Sequence, residues 1–169
     1  TIIENIVRDD LYSELKSAEY LYGEGRKIID KYATSSVCLF KIINLTKINE
    51  KISRKTGNKL ITEVSNIIKN ELAPEYIFVR YMGPKFAIVF SGVDEGGVNT
   101  FLQSIKEKIE AIEISPEDDY TGKKEIKVSP KINMVITTYY KGTALEEVTK
   151  KLEEFLDNEN AEESNISYL

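Results

Sequence analysis

The feature that most constrains the fold is a two-residue connection near the middle of the chain. The segments Ile77–Met82 and Lys85–Phe90 are apolar and rich in strand-forming residues, and only Gly83 and Pro84 separate them. Two strands joined by so short a loop must pair antiparallel, and a glycine at the first loop position supplies the positive φ of a type II′ turn. The sequence therefore predicts a tight β-hairpin.

Apolar periodicity predicts the elements around this hairpin. Spacings of three and four residues indicate helices in four segments, residues 3–21, 60–72, 98–112 and 145–156. Residues 37–43 predict a buried strand, residues 132–137 a strand with one face toward the core, and residues 115–124 a loop. This order predicts an α+β fold in which helices cover a mixed, mainly antiparallel central sheet, of ferredoxin-like kind.

A length of 169 residues accommodates one domain of ordinary size, or one domain with a lead-in helix. We predict that residues 1–33 are a lead-in helix that links to an upstream domain, and that residues 34–169 are the domain itself. The apolar stripe of this helix suits packing on its own domain, which we favour, or dimerisation. Because the sequence begins at Thr1 rather than Met, we expect a longer chain, which can be membrane-anchored elsewhere.

Composition excludes several classes of function. The chain has no histidine, so His-based triads, His zinc ligands and imidazole acid–base catalysis are excluded. The single Cys38 lies in an apolar run, which indicates an inert core thiol and a reducing, cytoplasmic compartment. A net charge of −5 and the absence of a long apolar stretch predict no nucleic-acid partner and no membrane contact by this segment.

Three stretches of the sequence carry a recognisable pattern: FKIINLTKINE at residues 40–50, TGNKL at residues 56–60 and RYMGPKFAIVF at residues 80–90. Together they resemble the GGDEF domain of diguanylate cyclases. In that family the first strand ends in Asp-x-Asp-x-Phe-Lys-x-Ile-Asn-Asp, a Gly-Asp pair opens the next helix, and the hairpin carries Gly-Gly-Asp/Glu-Glu-Phe. Spacing and apolar framework agree over residues 37–90, and the remainder agrees in element order. The resemblance implies a GGDEF, nucleotide cyclase-like fold.

The resemblance also implies an active site without its metal ligands. Family members join two GTP molecules, one per site of a facing dimer, with two Mg²⁺ ions held by carboxylates. Here Lys41 and Ile43 stand at the acidic positions of the strand, and Pro84 and Lys85 at those of the hairpin, whose signature reads MGPKF. Ammonium groups repel Mg²⁺ and cannot ligate it. We therefore expect no catalytic residue, no metal site and no bound cofactor, Mg²⁺ included.

Other positions that the resemblance assigns to ligand contacts are also replaced. Thr46 stands at the phosphate-contacting lysine, and Leu156 and Asn160 lie nearest the basic pair expected after the last helix. Ala73 and Tyr76 occupy the two ends of the Arg-x-x-Asp product-inhibition motif. We therefore expect neither triphosphate binding of the family kind nor product feedback.

Two positions of the implied nucleotide site are retained. Asn49 matches the guanine-contacting asparagine and Gly57 the helix-opening glycine, whereas Asn58 replaces the aspartate that would accept hydrogen bonds from guanine. With Lys41 and Lys85 as positive charges in place of the metals, these five residues form a candidate metal-free nucleotide site.

Simpler roles are open for the same side chains. Each lysine can be solvated or can pair with Glu50 or another surface acid, and this is the interpretation that we favour. Asparagines near helix starts commonly cap backbone N–H groups. We favour a capping role for Asn58 and leave Asn49 undecided.

The sequence therefore predicts a degenerate, non-catalytic GGDEF domain that acts as a regulatory or protein-interaction module in bacterial signalling. Its expected partner is another protein or an upstream domain of the same chain, and a homodimer stays open. The alternative is a metal-independent receptor for GTP or a cyclic dinucleotide, and an active diguanylate cyclase ranks last.

Overall fold

The computed structural model of the chain describes residues 16–82, 85–114, 127–158 and 164–169. The strands are β1 Lys16–Ser17, β2 Thr34–Ile42, β3 Ile77–Met82, β4 Lys85–Phe90, β5 Ile132–Tyr140 and β6 Asn165–Tyr168. Helix α1 is a continuous run of three pieces, Ala18–Tyr20, a π-helical turn at Leu21–Gly25, and Arg26–Ile29. The other helices are α2 Leu45–Lys51, α3 Arg54–Glu71, α4 Glu95–Glu110 and α5 Leu145–Asn158.

All six described strands form one sheet in the order β1-β3-β4-β2-β5-β6. The inner pairs β3–β4, β4–β2 and β2–β5 are antiparallel, whereas the edge pairs β1–β3 and β5–β6 are parallel. Strand β2 lies at the centre because its apolar run offers no polar face to solvent. The predicted mixed, mainly antiparallel sheet is confirmed.

Helices cover both faces of this sheet. On one face α3 and α4 pack with alternate residues of β2, including Cys38 and Phe40, in one large apolar cluster. On the other face α1 and α5 pack on the intervening residues, including Val37 and Leu39. Because successive strand residues point to opposite faces, β2 contributes to both layers of the core. None of the described helices combines the length and the apolar character needed to cross a bilayer.

Helix α1 is held on its face of the sheet by apolar and polar contacts. Leu21 and Ile29 are fully buried in the second cluster. The Tyr22 hydroxyl lies 2.6 Å from Thr149 Oγ1 of α5, and Arg26 forms a 2.5 Å ion pair with Glu146. Residues 18–29 therefore pack on their own domain, while the division between residues 1–33 and 34–169 stays a prediction.

The structure differs from the sequence-based expectations at several elements. Strand β5 is buried on both faces, with Asn133 and Val135 fully inaccessible, because α5 covers the face that we expected to be exposed. Strands β1 and β6 and the short helix α2 were not predicted. The first part of the predicted opening helix, the Gly83-Pro84 turn and the predicted loop at residues 115–124 lie outside the described residues.

The turn between β4 and α4 depends on a glycine. Gly92 has a φ of +78°, and its N–H donates a 3.0 Å hydrogen bond to Ser35 Oγ. A Cβ at this position would lie 2.8 Å from the Tyr32 ring. Gly142, in the turn after β5, also has a positive φ, of +93°, but a Cβ there would meet nothing within 4 Å.

We expect Gly92→Ala to destabilise the domain more than Gly142→Ala, as measured by urea unfolding. Backbone strain alone costs about 1–2 kcal/mol for an alanine in this region, and both variants carry it. Only Gly92→Ala adds a clash with Tyr32, so Tyr32→Ala should narrow the difference between the two. Equal losses of unfolding free energy in Gly92→Ala and Gly142→Ala would show that the contact with Tyr32 does not affect stability.

Candidate functional site

The candidate site lies where β2 ends and its neighbours β4 and β5 begin, on the face of the sheet covered by α5. Lys41 of β2 pairs in register with Lys85 of β4 on one side and with Asn133 of β5 on the other. Lys41 follows Leu39 by two residues, so both point to the α5 side of the sheet. The two lysines that the sequence singled out are therefore direct cross-strand neighbours.

Lys85 is held by two carboxylates of α5. Its ammonium nitrogen lies 2.8 Å from Asp157 Oδ1 and 3.2 Å from Glu153 Oε2. The side chain of Lys85 is 15% exposed and that of Glu153 is 23% exposed, so solvent screens this pair less than a surface pair. Partial burial by itself lowers the pKa of Lys85, but the hydrogen bonds to Asp157 and Glu153 outweigh it and raise the pKa above its ordinary value.

The Lys41 ammonium has a different environment. Lys41 is half-buried, and within the described part of the chain no hydrogen bond or ion pair engages it. The Cβ atoms of directly opposed residues in an antiparallel pair lie about 4.5–5.5 Å apart, so two like-charged side chains leave the sheet side by side. The carboxylates of Glu153 and Asp157 compensate the charge of Lys85. We call Lys41, Lys85, Glu153 and Asp157 the charged cluster.

The charged cluster inverts the arrangement that the family resemblance implies. The family pattern puts acids on the strand and hairpin and bases near the last helix, but here the lysines stand on the strands and the acids on α5. Leu156, at an expected basic position, is fully buried in the core. Pro84 and Asn160 lie outside the described residues.

The donor set at this site does not fit Mg²⁺. This ion takes oxygen ligands, whereas Lys41 and Lys85 supply ammonium groups and Ile43 supplies none. One oxygen of each of the Glu153 and Asp157 carboxylates is engaged by Lys85. Across the described ranges, no group of three or more His, Cys, Asp or Glu side chains is placed to hold a metal ion. The absence of a cofactor stays a prediction.

Asn49 and Gly57 lie together between α2 and α3, away from any partner that satisfies the asparagine. A Cβ at Gly57 would overlap the Asn49 side chain, so a glycine is needed where the first turn of α3 passes α2. The Asn49 Oδ1 atom is buried, and no hydrogen-bond partner reaches it in the described structure. A buried, unsatisfied amide oxygen is rare and requires an explanation, for which a ligand donor is one candidate.

The capping role that we favoured for Asn58 is wrong. Helix α3 begins earlier, and Ser53 is its N-cap, with the Ser53 hydroxyl oxygen accepting a 3.0 Å hydrogen bond from the Thr56 N–H. Asn58 is exposed inside the helix. Its backbone carbonyl accepts a hydrogen bond from Thr62 Oγ1. The structure therefore brings Asn49 and Gly57 together, and Lys41 and Lys85, whereas Asn58 follows Gly57 on α3 with its side chain exposed.

Sequence reasoning missed three side chains of the site region. Glu153 and Asp157 lie in an acidic helix whose partner is far away in sequence, and no local signal connects them to Lys85. Asn44 joins the end of β2 to the segment before β5, donating to Ser129 O and accepting from the Lys131 N–H. An Asn directly after a strand was the available signal, because such residues commonly make local turn contacts.

Tyr76, at one end of the replaced product-inhibition motif, is a core residue. Its ring packs edge-on against Phe90, with the ring centroids 5.3 Å apart. Ala73, at the other end, is half-buried in the turn after α3. Neither side chain carries charge, so this pair offers no ionic contact to an anionic ligand.

Comparisons with known proteins agree with the geometry. The family model of the diguanylate cyclase GGDEF domain matches residues 11–165. A search of curated proteins finds no match. Among solved structures, diguanylate cyclase SiaD in complex with its activator SiaC from Pseudomonas aeruginosa superposes with a TM-score of 0.80 at 11% identity. The superposition covers 94% of this chain and 60% of the SiaD chain.

Two solved GGDEF domains are matched over most of their own length. The GGDEF domain of DgcB from Caulobacter crescentus in complex with c-di-GMP gives a TM-score of 0.79 at 15% identity, covering 91% of each chain. The FimX GGDEF domain from Pseudomonas aeruginosa gives 0.76 at 11% identity, covering 92% of this chain and 94% of FimX. At these identities the structural likeness establishes the fold alone.

We expect Lys85→Met to lower the free energy of unfolding by about 1–2 kcal/mol at neutral pH, between the values for exposed and buried ion pairs. The folded-state pKa of Lys85 is raised, so its contribution is complete below the unfolded pKa and is lost as pH rises through the folded value. Urea unfolding should thus show a difference between wild type and variant that is constant near neutral pH and shrinks above about pH 10.5.

Lys106→Met is the matched control for this experiment. Lys106 pairs with Glu110 one helical turn away at 3.2 Å, on a more exposed surface. That substitution should cost no more than about 0.5 kcal/mol. A Lys85 variant as mild as the Lys106 variant would mean that the charged cluster contributes nothing beyond a surface pair.

Proposed function

We propose that this chain, which belongs to the GGDEF family of diguanylate cyclase domains, is a non-catalytic member that acts as a regulatory or protein-interaction module in bacterial signalling. The observation that carries the proposal is the charged cluster. It puts ammonium groups at the positions where the family holds its metal ions, and carboxylates on the helix that faces them.

The electrostatics of the charged cluster oppose the family reaction at two points. A unit charge repels a like charge by about 4 kcal/mol at 4 Å and an effective dielectric of 20, and a divalent ion beside an ammonium group meets about twice that. The carboxylates of Glu153 and Asp157, on the helix that faces the lysines, would repel the negative charge of an incoming triphosphate. Both the metals and the substrate are therefore disfavoured where the reaction needs them.

The retained framework supports a role that depends on the fold rather than on chemistry. The strands, helices and both core layers are kept, so the domain offers stable surfaces to a partner. SiaD, a structural relative, has been solved in complex with an activator protein. A protein partner is accordingly the first that we propose for this domain.

Purified protein incubated with GTP and Mg²⁺ should form no cyclic dinucleotide detectable by liquid chromatography with mass spectrometry. The GGDEF domain of DgcB from Caulobacter crescentus serves as the comparison protein under the same conditions. Metal-dependent formation of cyclic di-GMP, absent from a no-protein blank, would overturn the non-catalytic assignment.

A second candidate function is a metal-independent receptor for GTP or a cyclic dinucleotide. The observation that favours it is the buried, unsatisfied Asn49 Oδ1 beside Gly57, which is where the family resemblance places guanine. Guanine N–H groups would satisfy this oxygen once the Asn49 amide rotates away from Gly57 toward solvent. Lys85 would take part only by exchanging Glu153 or Asp157 for a phosphate, which makes Asn49 the sharper test of the receptor.

Thermal unfolding with GTP or cyclic di-GMP, in the absence of Mg²⁺, tests this receptor. A nucleotide at 100 times its Kd stabilises the folded state by about 2.7 kcal/mol, which raises the midpoint by several degrees. If the receptor exists, Asn49→Ala should abolish the shift while Lys106→Met keeps it. Unchanged midpoints with every nucleotide would leave the protein-interaction role as the sole proposal.

A further inference from the structure

A cluster of positive charge lies where α2 meets α3, around the Asn49–Gly57 pair and outside the charged cluster. Residues 47–59 contain five bases against a single acid, Glu50, in a chain whose net charge is −5. The bases are Lys47, Lys51, Arg54, Lys55 and Lys59, and all five are exposed. We call these five residues, together with Ile52 between them, the basic corner.

Three of the five bases of the basic corner are not neutralised by the described part of the chain. Lys47, Lys51 and Arg54 make no ion pair or hydrogen bond to the described part of the chain. Some basic side chains elsewhere are paired with carboxylates, as Lys108 is with Glu71 and Lys127 with Glu113. The unpaired bases therefore project a positive field into solvent from one place.

Helix polarity adds to this field rather than opposing it. Arg54 and Lys55 are the first two residues of α3, and the first turn contains no acid. A helix N-terminus carries a partial positive charge, so acids stabilise it and bases destabilise it. A sequence chosen for stability alone would place acids here, and the described structure sets no acid against Arg54. A local rule broken without internal compensation is typical of a functional surface.

An apolar side chain stands in the middle of the positive charge. Ile52 connects α2 to α3 and is 38% exposed, one of few large apolar side chains so exposed among the described residues. A basic surface with an apolar tip is typical of proteins that lie on a bilayer. The bases contact lipid phosphates while the apolar residue enters the boundary between headgroups and acyl chains.

The choice of bases separates a lipid surface from a protein partner. Four of the five are lysines. Protein–protein interfaces are enriched in arginine and depleted of lysine, because the planar guanidinium makes directed, paired hydrogen bonds. A lysine-rich cluster suits the diffuse negative charge of headgroups better than a fixed acidic epitope.

We propose that the basic corner docks this domain onto an anionic membrane surface. The sequence predicted no membrane contact because it contains no spanning segment, and peripheral docking requires none. The rest of the chain is more acidic than the chain as a whole, so an anionic surface repels it and orients the domain with the corner toward the lipid. This proposal is independent of whether the domain is catalytic.

Docking through the basic corner is expected to be weak and reversible. Each basic residue near an anionic surface strengthens partition about fivefold, and the field falls off within a Debye length of about 8 Å at physiological salt. A single signal of this size gives only transient binding, so stable attachment needs a second tether. Binding should accordingly weaken steeply as the salt concentration rises.

Co-sedimentation of the full 169-residue chain with lipid vesicles tests the proposal. We expect binding to phosphatidylcholine vesicles that contain phosphatidylglycerol, and none to phosphatidylcholine alone. The triple variant Lys47→Gln, Lys51→Gln and Arg54→Gln should reduce partition about a hundredfold, as three bases at about fivefold each predict. Ile52→Ser should weaken binding without changing the charge. Failure of the wild-type chain to bind anionic vesicles at low salt would overturn the proposal.

A matched control variant makes the same change in net charge at another place on the surface. Lys141, Lys150 and Lys151 are exposed in and before α5, on the other side of the sheet, and replacing all three by Gln should leave vesicle binding nearly intact. An equal loss in both triple variants would mean that overall charge, not the corner, controls binding. Because Arg54 is unfavourable at the start of α3, the triple variant that lacks it should have a thermal midpoint no lower than that of the wild type. That result would exclude misfolding as the cause of lost binding.

A further arm distinguishes the other class of partner. Poly-glutamate is a flexible acidic polypeptide without a lipid surface. Its binding to the wild-type chain can be compared with its binding to the triple variant of the basic corner. Binding of poly-glutamate in the absence of any binding to anionic vesicles would assign the basic corner to an acidic protein and refute the membrane proposal.

Discussion

Strand β2 must bury both of its faces, and the arrangement of the other elements follows from this. Seven of its nine residues are buried, and the apolar run offers no side that tolerates water. One layer of helices therefore cannot suffice: α3 and α4 cover one face, and α1 and α5 cover the other. On the α5 side Lys41 is only half-buried. The end of β2 is therefore where this strand carries its charged residue.

Helix α5 converts that constraint into the geometry of the site. Leu145, Leu152 and Leu156 are fully buried against the sheet, which fixes the rotation of the helix about its axis. Glu153 lies one residue after Leu152 and Asp157 one after Leu156, so both acids are carried to the rim of the buried stripe and reach Lys85. The same packing that stabilises the second core layer thus brings carboxylates against the lysines. The family fold is retained, and at its strand ends the lysines of this chain lie beside the acids of α5.

The hairpin strands and the long helices could be predicted because each carries its own local period. Strand β1 has two residues and β6 has four, too few to show any period, and they exist only because their neighbours pair with them. The burial of Asn133 could not be predicted because it depends on α5. The replaced acids could be read from the resemblance, but Glu153 is 68 residues from Lys85, and only the fold brings them together. The capping role predicted for Asn58 was wrong because the helix is capped five residues earlier, by Ser53.

Two groups of bases in this domain stand where local physics disfavours them, and they differ in what compensates them. Lys41 and Lys85 are like charges on neighbouring strands, and the acids of α5 lie within ion-pair distance of Lys85. Arg54 opens a helix whose N-terminus is already positive, and the described structure places no acid against it. An unfavourable charge that the molecule compensates internally is explained by its own stability. Lys85 is compensated in this way, whereas Lys47, Lys51 and Arg54 are left without an acid in the described structure, which is why we assign their charge to an anionic surface outside the molecule.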